Sequence, residues 1–281
     1  MQIGNLETLR PFLPLLENYT SKQNEAAFST LTFWKRTRLE LQRTASQAAG
    51  ILFLWPAIIG WLSLVQRYRI RDLKAVRARV TELLDASETP VLICPNHLTW
   101  VDSMLVQWAL FSPAAMARQP GKLAWNMPEA TNFLTRTSLR ALCYLTKCIP
   151  IVRGGDRARQ VEALRKAAYA LERGDHVMVF PEGGRTDNGR IERSRVADGV
   201  GRLVRQVDGC RVLCVYLRGD RQETSTVLPA RRQTFDLTME LIEPNVERGG
   251  VRGNRIVVNQ ILDQLENLES TYFTEKQREH R

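Results

Sequence analysis

Apolar residues recur along the chain in two patterns. Short continuous or alternating runs bounded by proline, glycine or charged residues predict strands, and longer stretches with apolar positions three and four apart predict helices. Pro90-Val-Leu-Ile-Cys94 predicts a buried strand, and Ser103–Phe111 a buried helix. Leu73, Val76, Val80 and Leu83 share one face of a helix predicted over Arg71–Ala86. Asn132–Tyr144 has a helical pattern, and Thr146–Val152 that of a strand ending in Arg153-Gly-Gly155. Asp156 is placed to cap a helix running to Arg173, with Gly174 as its stop. Strands follow at His176–Phe180 and Arg211–Leu217, a half-exposed strand at Phe235–Leu241, and an amphipathic helix from Asn254 to Leu268. Strands alternating with helices predict an α/β fold, a mostly parallel central sheet covered by helices.

One block breaks the rhythm. Ala45–Val65 is apolar apart from Ser46, Gln47 and Ser63, and its length permits a membrane span. Basic residues flank it on both sides: Lys35, Arg36, Arg38 and Arg43 before, Arg67, Arg69, Arg71, Lys74, Arg77 and Arg79 after. That symmetry gives no orientation for a crossing. With Pro56 inside the block and Trp55 and Trp61 in it, a bent segment that enters one leaflet and returns is favoured over a span, and a buried core helix broken at Pro56 is the third possibility. The chain therefore divides into an N-terminal basic helical segment (1–44), a membrane-associated apolar segment (45–70), a main domain (71–245) and a C-terminal helix and tail (246–281).

The composition, 44% hydrophobic and 25% charged over 281 residues, is that of a globular protein. The net charge of +10 calls for an anionic partner: nucleic acid, acidic lipid head groups or a phosphorylated substrate. Five cysteines at positions 94, 143, 148, 210 and 214 show no zinc or redox spacing, which suits buried thiols in a reducing compartment.

The candidate chemistry starts at Pro95-Asn-His-Leu-Thr-Trp-Val-Asp-Ser103, which places His97 at the carboxyl end of a strand and Asp102 near a helix start. Ligands bind at that edge of open α/β sheets. A carboxylate on one ring nitrogen would fix the tautomer and leave the other nitrogen to accept a proton. Taken alone, the pair equally suits a structural histidine beside a capping aspartate. A second motif, Phe180-Pro-Glu-Gly-Gly-Arg-Thr186, leaves another predicted strand. Its glycines let backbone N–H groups converge on an anion, and Arg185 adds a planar fork for phosphate.

In this order, Asn96-His97 with Asp102, Ile149-Pro-Ile-Val-Arg153, Leu171-Glu-Arg-Gly174 and Phe180–Thr186, the chain resembles the glycerolipid acyltransferases from about Pro90 to Leu217. The resemblance implies that His97 is the general base and Asp102 its partner. Arg153 and Arg185 would bind the acceptor's phosphate, and Glu182, Gly183 and Gly184 would shape the acceptor site. It also implies a membrane-bound enzyme that uses acyl-CoA or acyl carrier protein as co-substrate, with no metal and no other cofactor. Gly184 stands where the family usually has threonine, and Cys214 where a proline is typical.

The chemistry is consistent with this. A thioester is already activated, so a positioned base is the missing ingredient, worth about 10² to 10⁴-fold. No nucleophile-elbow pattern occurs, so direct transfer in one ternary complex is expected, with a covalent acyl group on Cys94 as the minor rival. The expected reaction is acylation of a lysophospholipid hydroxyl, best fitted by 1-acylglycerol 3-phosphate. Acylation of an aminolipid or of glycerol 3-phosphate and a non-catalytic lipid-binding protein are the alternatives. Expected partners are membrane lipids and the acyl donor, with no nucleic acid. The expected location is the cytoplasmic face of a bacterial inner membrane.

Overall fold

The computed structural model describes residues 31–85, 90–133, 136–152, 154–186, 188–193, 196, 198–246 and 250–279. Among them, β2 (Val91–Pro95) and β5 (Arg211–Gly219) are wholly buried and form the centre of a sheet. β6 (Thr234–Ile242) alternates between buried and half-buried positions, as its sequence predicts. Three two-residue strands complete it: β1 (Arg69–Ile70), β3 (Trp125–Asn126) and β4 (Val177–Met178). The order is β1-β6-β5-β2-β4-β3. All pairings are parallel except that of β5 with β6.

Neighbouring residues on a strand face opposite sides, and both sides are covered here. Val91, Ile93, Leu213 and Val215 enter one apolar layer together with α2 (Leu73–Asp85) and α3 (Asp102–Leu110). Leu92, Cys94, Val212 and Cys214 enter the other with α7 (Arg157–Glu172), α8 (Asp198–Gln206) and α9 (Gly250–Glu279). The short helices α4 (Pro113–Arg118), α5 (Ala130–Phe133) and α6 (Thr137–Leu145) lie between β2 and β4 in sequence. Asp156 caps α7 as predicted, its Oδ1 accepting from the N–H of Ala158 at 2.9 Å.

Two expectations need correction. Thr146–Val152 does not pair as a strand. It makes only isolated bridges, Asn126 to Cys148 and Glu129 to Ile151. Lys147 is left-handed at φ 54°, and Pro150 lacks an N–H, so no regular ladder can run through the segment. Nor does the apolar block turn back at Pro56. It lies in one continuous helix, α1 (Phe33–Val65), about 50 Å long at about 1.5 Å per residue. Before Pro56 the helix is π-wound over Ser46–Leu54, and the N–H of Trp55 donates to the carbonyl of Gly50. The wide turn absorbs the missing N–H of the proline and makes room for its ring.

α1 is long and apolar enough to cross a membrane, yet one face of it is packed on the domain along its length. Leu39 joins the α7 layer, and Ile51, Trp55 and Leu62 join the opposite one. Between them, Arg43 grips Asp175 through Nε at 2.9 Å and Nη2 at 3.0 Å. At the far end Arg231 Nη2 donates to the carbonyl of Val65 at 2.7 Å. Leu41, Leu52, Phe53 and Leu64 point outward and are exposed.

Asp175 is also the partner of two buried groups, Trp125 Nε1 at 2.8 Å and Lys147 Nζ at 3.1 Å. Lys147 is fully buried and donates in addition to the carbonyls of Pro120 and Leu123. Burial pushes its ammonium down to about 8, while Asp175 acts in the opposite direction. Breaking a buried pair on one side leaves an uncompensated charge. Asp175→Asn is therefore expected to lower stability in urea unfolding by about 3–5 kcal/mol, whereas an exposed carboxylate such as Glu82→Gln is expected to change it little.

Candidate active site

The site is built on the loop that leaves β2. Asn96 locks the loop to β5 with a reciprocal pair, its Nδ2 donating to the carbonyl of Leu217 at 3.1 Å and its Oδ1 accepting from that residue's N–H at 2.7 Å. Asp102, 3% exposed, then folds the next turn around its carboxylate. Oδ2 accepts from the N–H groups of Leu98 and Thr99 at 2.5 and 2.6 Å, and Oδ1 from the Thr99 hydroxyl at 2.5 Å. The same Oδ2 lies 3.0 Å from His97 Nδ1. The imidazole is stacked on Phe180, with ring centroids 4.1 Å apart. Its Nδ1 is committed to Asp102, and the ring borders a cavity of about 490 Å³.

The loop after β4 supplies the next wall. Gly183 takes a left-handed φ of 68°, which lets the chain turn directly after the buried Glu182. Gly184 and Arg185 line the cavity, whereas Glu182 lies behind it, accepting from the N–H of His97 at 2.8 Å. Burial pushes the Glu182 carboxyl up to about 8, and the N–H groups of His97 and Glu192 act against that rise. The Arg185 guanidinium lies 5.4 Å over the Trp100 ring at the cavity wall. Arg153 lies outside the described residues.

The opposite wall has no counterpart in the predicted site. Asn126, Met127, Pro128 and Glu129 come from the end of β3 and the turn after it, with Asn132 from α5, and Ser225, Thr226 and Val227 from the loop after β5. The second group is stitched to the His97 loop by Thr226 N–H to Leu98 O at 3.0 Å and Trp100 N–H to Val227 O at 3.1 Å. The sequence signal for the first group is the apolar Leu123-Ala-Trp125 followed by Asn126 and Pro128, a strand too short to stand out by periodicity.

Other reactive groups are held away from the cavity. Cys94 is fully buried, and burial raises its thiol well above the ordinary range, which disfavours the thiolate. His176 is pushed down to about 4 by burial and stacks on Phe111. Among the described residues no group of three or more His, Cys, Asp and Glu side chains could hold a metal ion. Among the described residues the arrangement thus combines an imidazole whose Nδ1 faces a buried carboxylate, a guanidinium fork and an open volume.

A family model described as Acyltransferase matches residues 67–218, more than half of the chain. The match spans β2, β4, β5 and both loops that carry the predicted site residues. A search of curated proteins finds no match.

The buried carboxyl gives a pH signature. Glu182 is protonated in the folded protein and ionised in the unfolded chain between 4.5 and about 8. Folding takes up a proton in that window, so stability falls as pH rises through it. Glu182→Gln mimics the neutral form and is expected to flatten the dependence of the melting temperature on pH over this window. Equal slopes for the two proteins would mean that Glu182 does not titrate there.

Proposed function

The chain belongs to the glycerolipid acyltransferase family, and we propose that it transfers a fatty acyl group from an acyl thioester to the hydroxyl of a lysophospholipid, with 1-acylglycerol 3-phosphate as the best-fitting acceptor. The observation that carries this reading is the placement of Arg185 and the His97–Asp102 pair on one cavity. A phosphate monoester held by the guanidinium fork would place the glycerol in the cavity that the imidazole borders.

In the proposed reaction His97 Nε2 takes the hydroxyl proton as the oxygen attacks the thioester carbonyl. Asp102 holds the ring with its proton on Nδ1 and stabilises the imidazolium that forms. Collapse of the tetrahedral intermediate expels the thiolate, which recovers the proton from His97. The acyl donor, an acyl-CoA or an acylated carrier protein, arrives as co-substrate. One feature supports a second reading: Glu129 on the opposite wall would suit an acceptor with an ammonium group, such as an aminolipid.

We further propose that α1 lies in one leaflet rather than across the bilayer. Support comes from the two ends of its apolar stretch, held on the same domain by Arg43 with Asp175 and by Arg231 with Val65. The outward Leu52, Phe53 and Leu64 would enter the acyl region, and the exposed Arg36, Arg38, Arg67 and Arg69 would meet acidic head groups.

His97→Ala is expected to lower turnover by at least about 10²-fold in a protein that keeps its fold. Arg185→Lys keeps the charge but not the fork, so it should raise the KM for 1-acylglycerol 3-phosphate and leave the donor KM nearly unchanged. Preference for a phosphate-free aminolipid, with Arg185→Lys affecting only the donor, would favour the second reading. For the membrane contact, the double substitution Leu52→Glu and Phe53→Glu is expected to weaken binding to phosphatidylglycerol vesicles by at least about tenfold; unchanged flotation with the vesicles would remove α1 from the interface.

A further inference from the structure

The end of α6 brings two thiols together by a specific helix-capping geometry. Lys147 follows the helix in the left-handed conformation at φ 54°, and the N–H of Cys148 donates to the carbonyl of Cys143 at 2.8 Å. This six-to-one bond is that of a Schellman cap, in which the third-last helical residue and the second residue past the cap commonly touch. In most proteins that contact is made by apolar side chains. Here it is made by Cys143 and Cys148, whose sulfurs act on each other so that the Cys143 thiol is lowered and that of Cys148 raised. With standard backbone dimensions the 2.8 Å bond leaves the two Cα atoms at most about 6.7 Å apart, within the roughly 4.4–6.8 Å that disulfides use. A left-handed non-glycine residue costs energy, and the three hydrogen bonds of the buried Lys147 ammonium hold it there.

One thiol of the pair is reachable. Cys143 is buried, while Cys148 is half-buried and borders a second cavity of about 290 Å³ between α1, α6 and α7. Lys35, Arg38 and Lys166 stand at this cavity against the single carboxylate of Glu162. It is separate from the cavity at His97, with which it shares no residue. The Cys143 sulfur and burial raise the Cys148 thiol, and the net positive charge at the cavity attracts anionic reagents. The thiols at positions 94, 210 and 214 are buried elsewhere, in the layer under β2 and β5.

We propose that Cys143 and Cys148 are a redox-active dithiol that is oxidised to an intramolecular disulfide by a small anionic disulfide entering through the cavity at Lys35, Arg38 and Lys166. In the reacting form Cys143 is the thiolate and takes the proton of the Cys148 thiol as Cys148 Sγ attacks one sulfur of the reagent, and one small thiolate leaves. That thiolate takes the proton from Cys143, whose sulfur then attacks Cys148 Sγ and expels the second thiolate. One reagent S–S bond breaks and one protein S–S bond forms. Two electrons pass from the cysteines to the reagent.

The consequence reaches the other cavity. Cys148 bridges to Asn126, whose N–H donates to the carbonyl of Lys147 at 2.9 Å and whose carbonyl accepts from Ile149 N–H at 2.8 Å. Asn126 is part of the wall facing His97. A bridge that repositions Cys148 therefore acts on that wall.

The test needs no acyltransferase activity, so its outcome is independent of the reading above. Folded full-length protein is equilibrated with glutathione and glutathione disulfide at a series of ratios, remaining thiols are blocked, and peptides are analysed by mass spectrometry. The expected result is a single two-electron transition that joins Cys143 to Cys148 while Cys94, Cys210 and Cys214 stay reduced. Cys143→Ser should instead accumulate a mixed disulfide with glutathione on Cys148. Lys35→Glu combined with Arg38→Glu should slow oxidation by glutathione disulfide about tenfold or more and leave oxidation by neutral hydroxyethyl disulfide unchanged. A wild-type protein whose Cys143 and Cys148 remain reduced until it unfolds would overturn the proposal. So would oxidation that spreads equally over all five cysteines.

Discussion

The carboxylate of Asp102 is the constraint on which the site depends. It takes four donors from three consecutive residues: His97 Nδ1, the N–H groups of Leu98 and Thr99, and the Thr99 hydroxyl. Hydrogen bonds to a charged group contribute about 1.5–3 kcal/mol each, and a buried donor left unpaired costs a comparable amount. The turn therefore has one conformation that satisfies its amides, and that conformation aligns the imidazole. Glu182 takes the remaining N–H of the series, that of His97 itself. Three consecutive amides are thus consumed by two buried carboxyls, the local Asp102 and the distant Glu182. None of them is left to stabilise charge in the cavity, where the positive charge is supplied by Arg185.

A second buried carboxylate organises the opposite end of β3 and β4. Asp175 ties together α1 through Arg43, the start of β3 through Trp125 and the end of α6 through Lys147. Its partners come from 132, 50 and 28 residues away in sequence, so the cluster can form only after the chain has collapsed. Buried charge networks add little net stability but penalise every arrangement that leaves a member unpaired. Here that penalty helps to fix the register of α1, which is also set by the close approach of Gly50 to the carbonyl of Leu145 and by Ser46 Oγ donating to the carbonyl of Tyr144 at 2.9 Å. The same network stabilises the left-handed Lys147, and with it the approach of Cys143 to Cys148.

How much of this was legible in the sequence follows from element length and from the range of the contacts. β2, β5 and β6 were read from apolar runs or clean alternation, and α7 from its Asp156 cap. The two-residue strands β1 and β3 carry no periodicity: β1 adds to the free edge of the long β6, and β3 pairs with the equally short β4. α8 went unrecognised because Asp198-Gly-Val-Gly201 looks like a loop. Gly201 is helical for a tertiary reason, since a Cβ there would lie 2.0 Å from the carbonyl of Asn254 on α9. The continuity of α1 through Pro56 was hidden in a similar way, because a proline inside an apolar block predicts a break unless the preceding turns are π-wound. Cysteine spacing likewise gave no hint of a pair, since x₄ spacing becomes a contact only once a cap folds it back.

The cavity at His97 shows why reaction class and acceptor differ in legibility. Its walls come from loops at the carboxyl ends of β2, β3, β4 and β5, where an α/β sheet binds its ligands. The loops after β2 and β4 carry imidazole, carboxyls, glycines and guanidinium, residue types whose chemistry demands particular neighbours, so their spacing is readable in one sequence. The loops after β3 and β5 contribute Asn126, Met127, Pro128, Ser225, Thr226 and Val227, which any surface turn could contain. Those residues set the width and polarity of the cavity rather than its chemistry, and shape depends on where two remote loops meet. The Leu98–Thr226 and Trp100–Val227 backbone bonds make that meeting specific. The shape of the cavity therefore depends on a half that three-dimensional structure alone brings together.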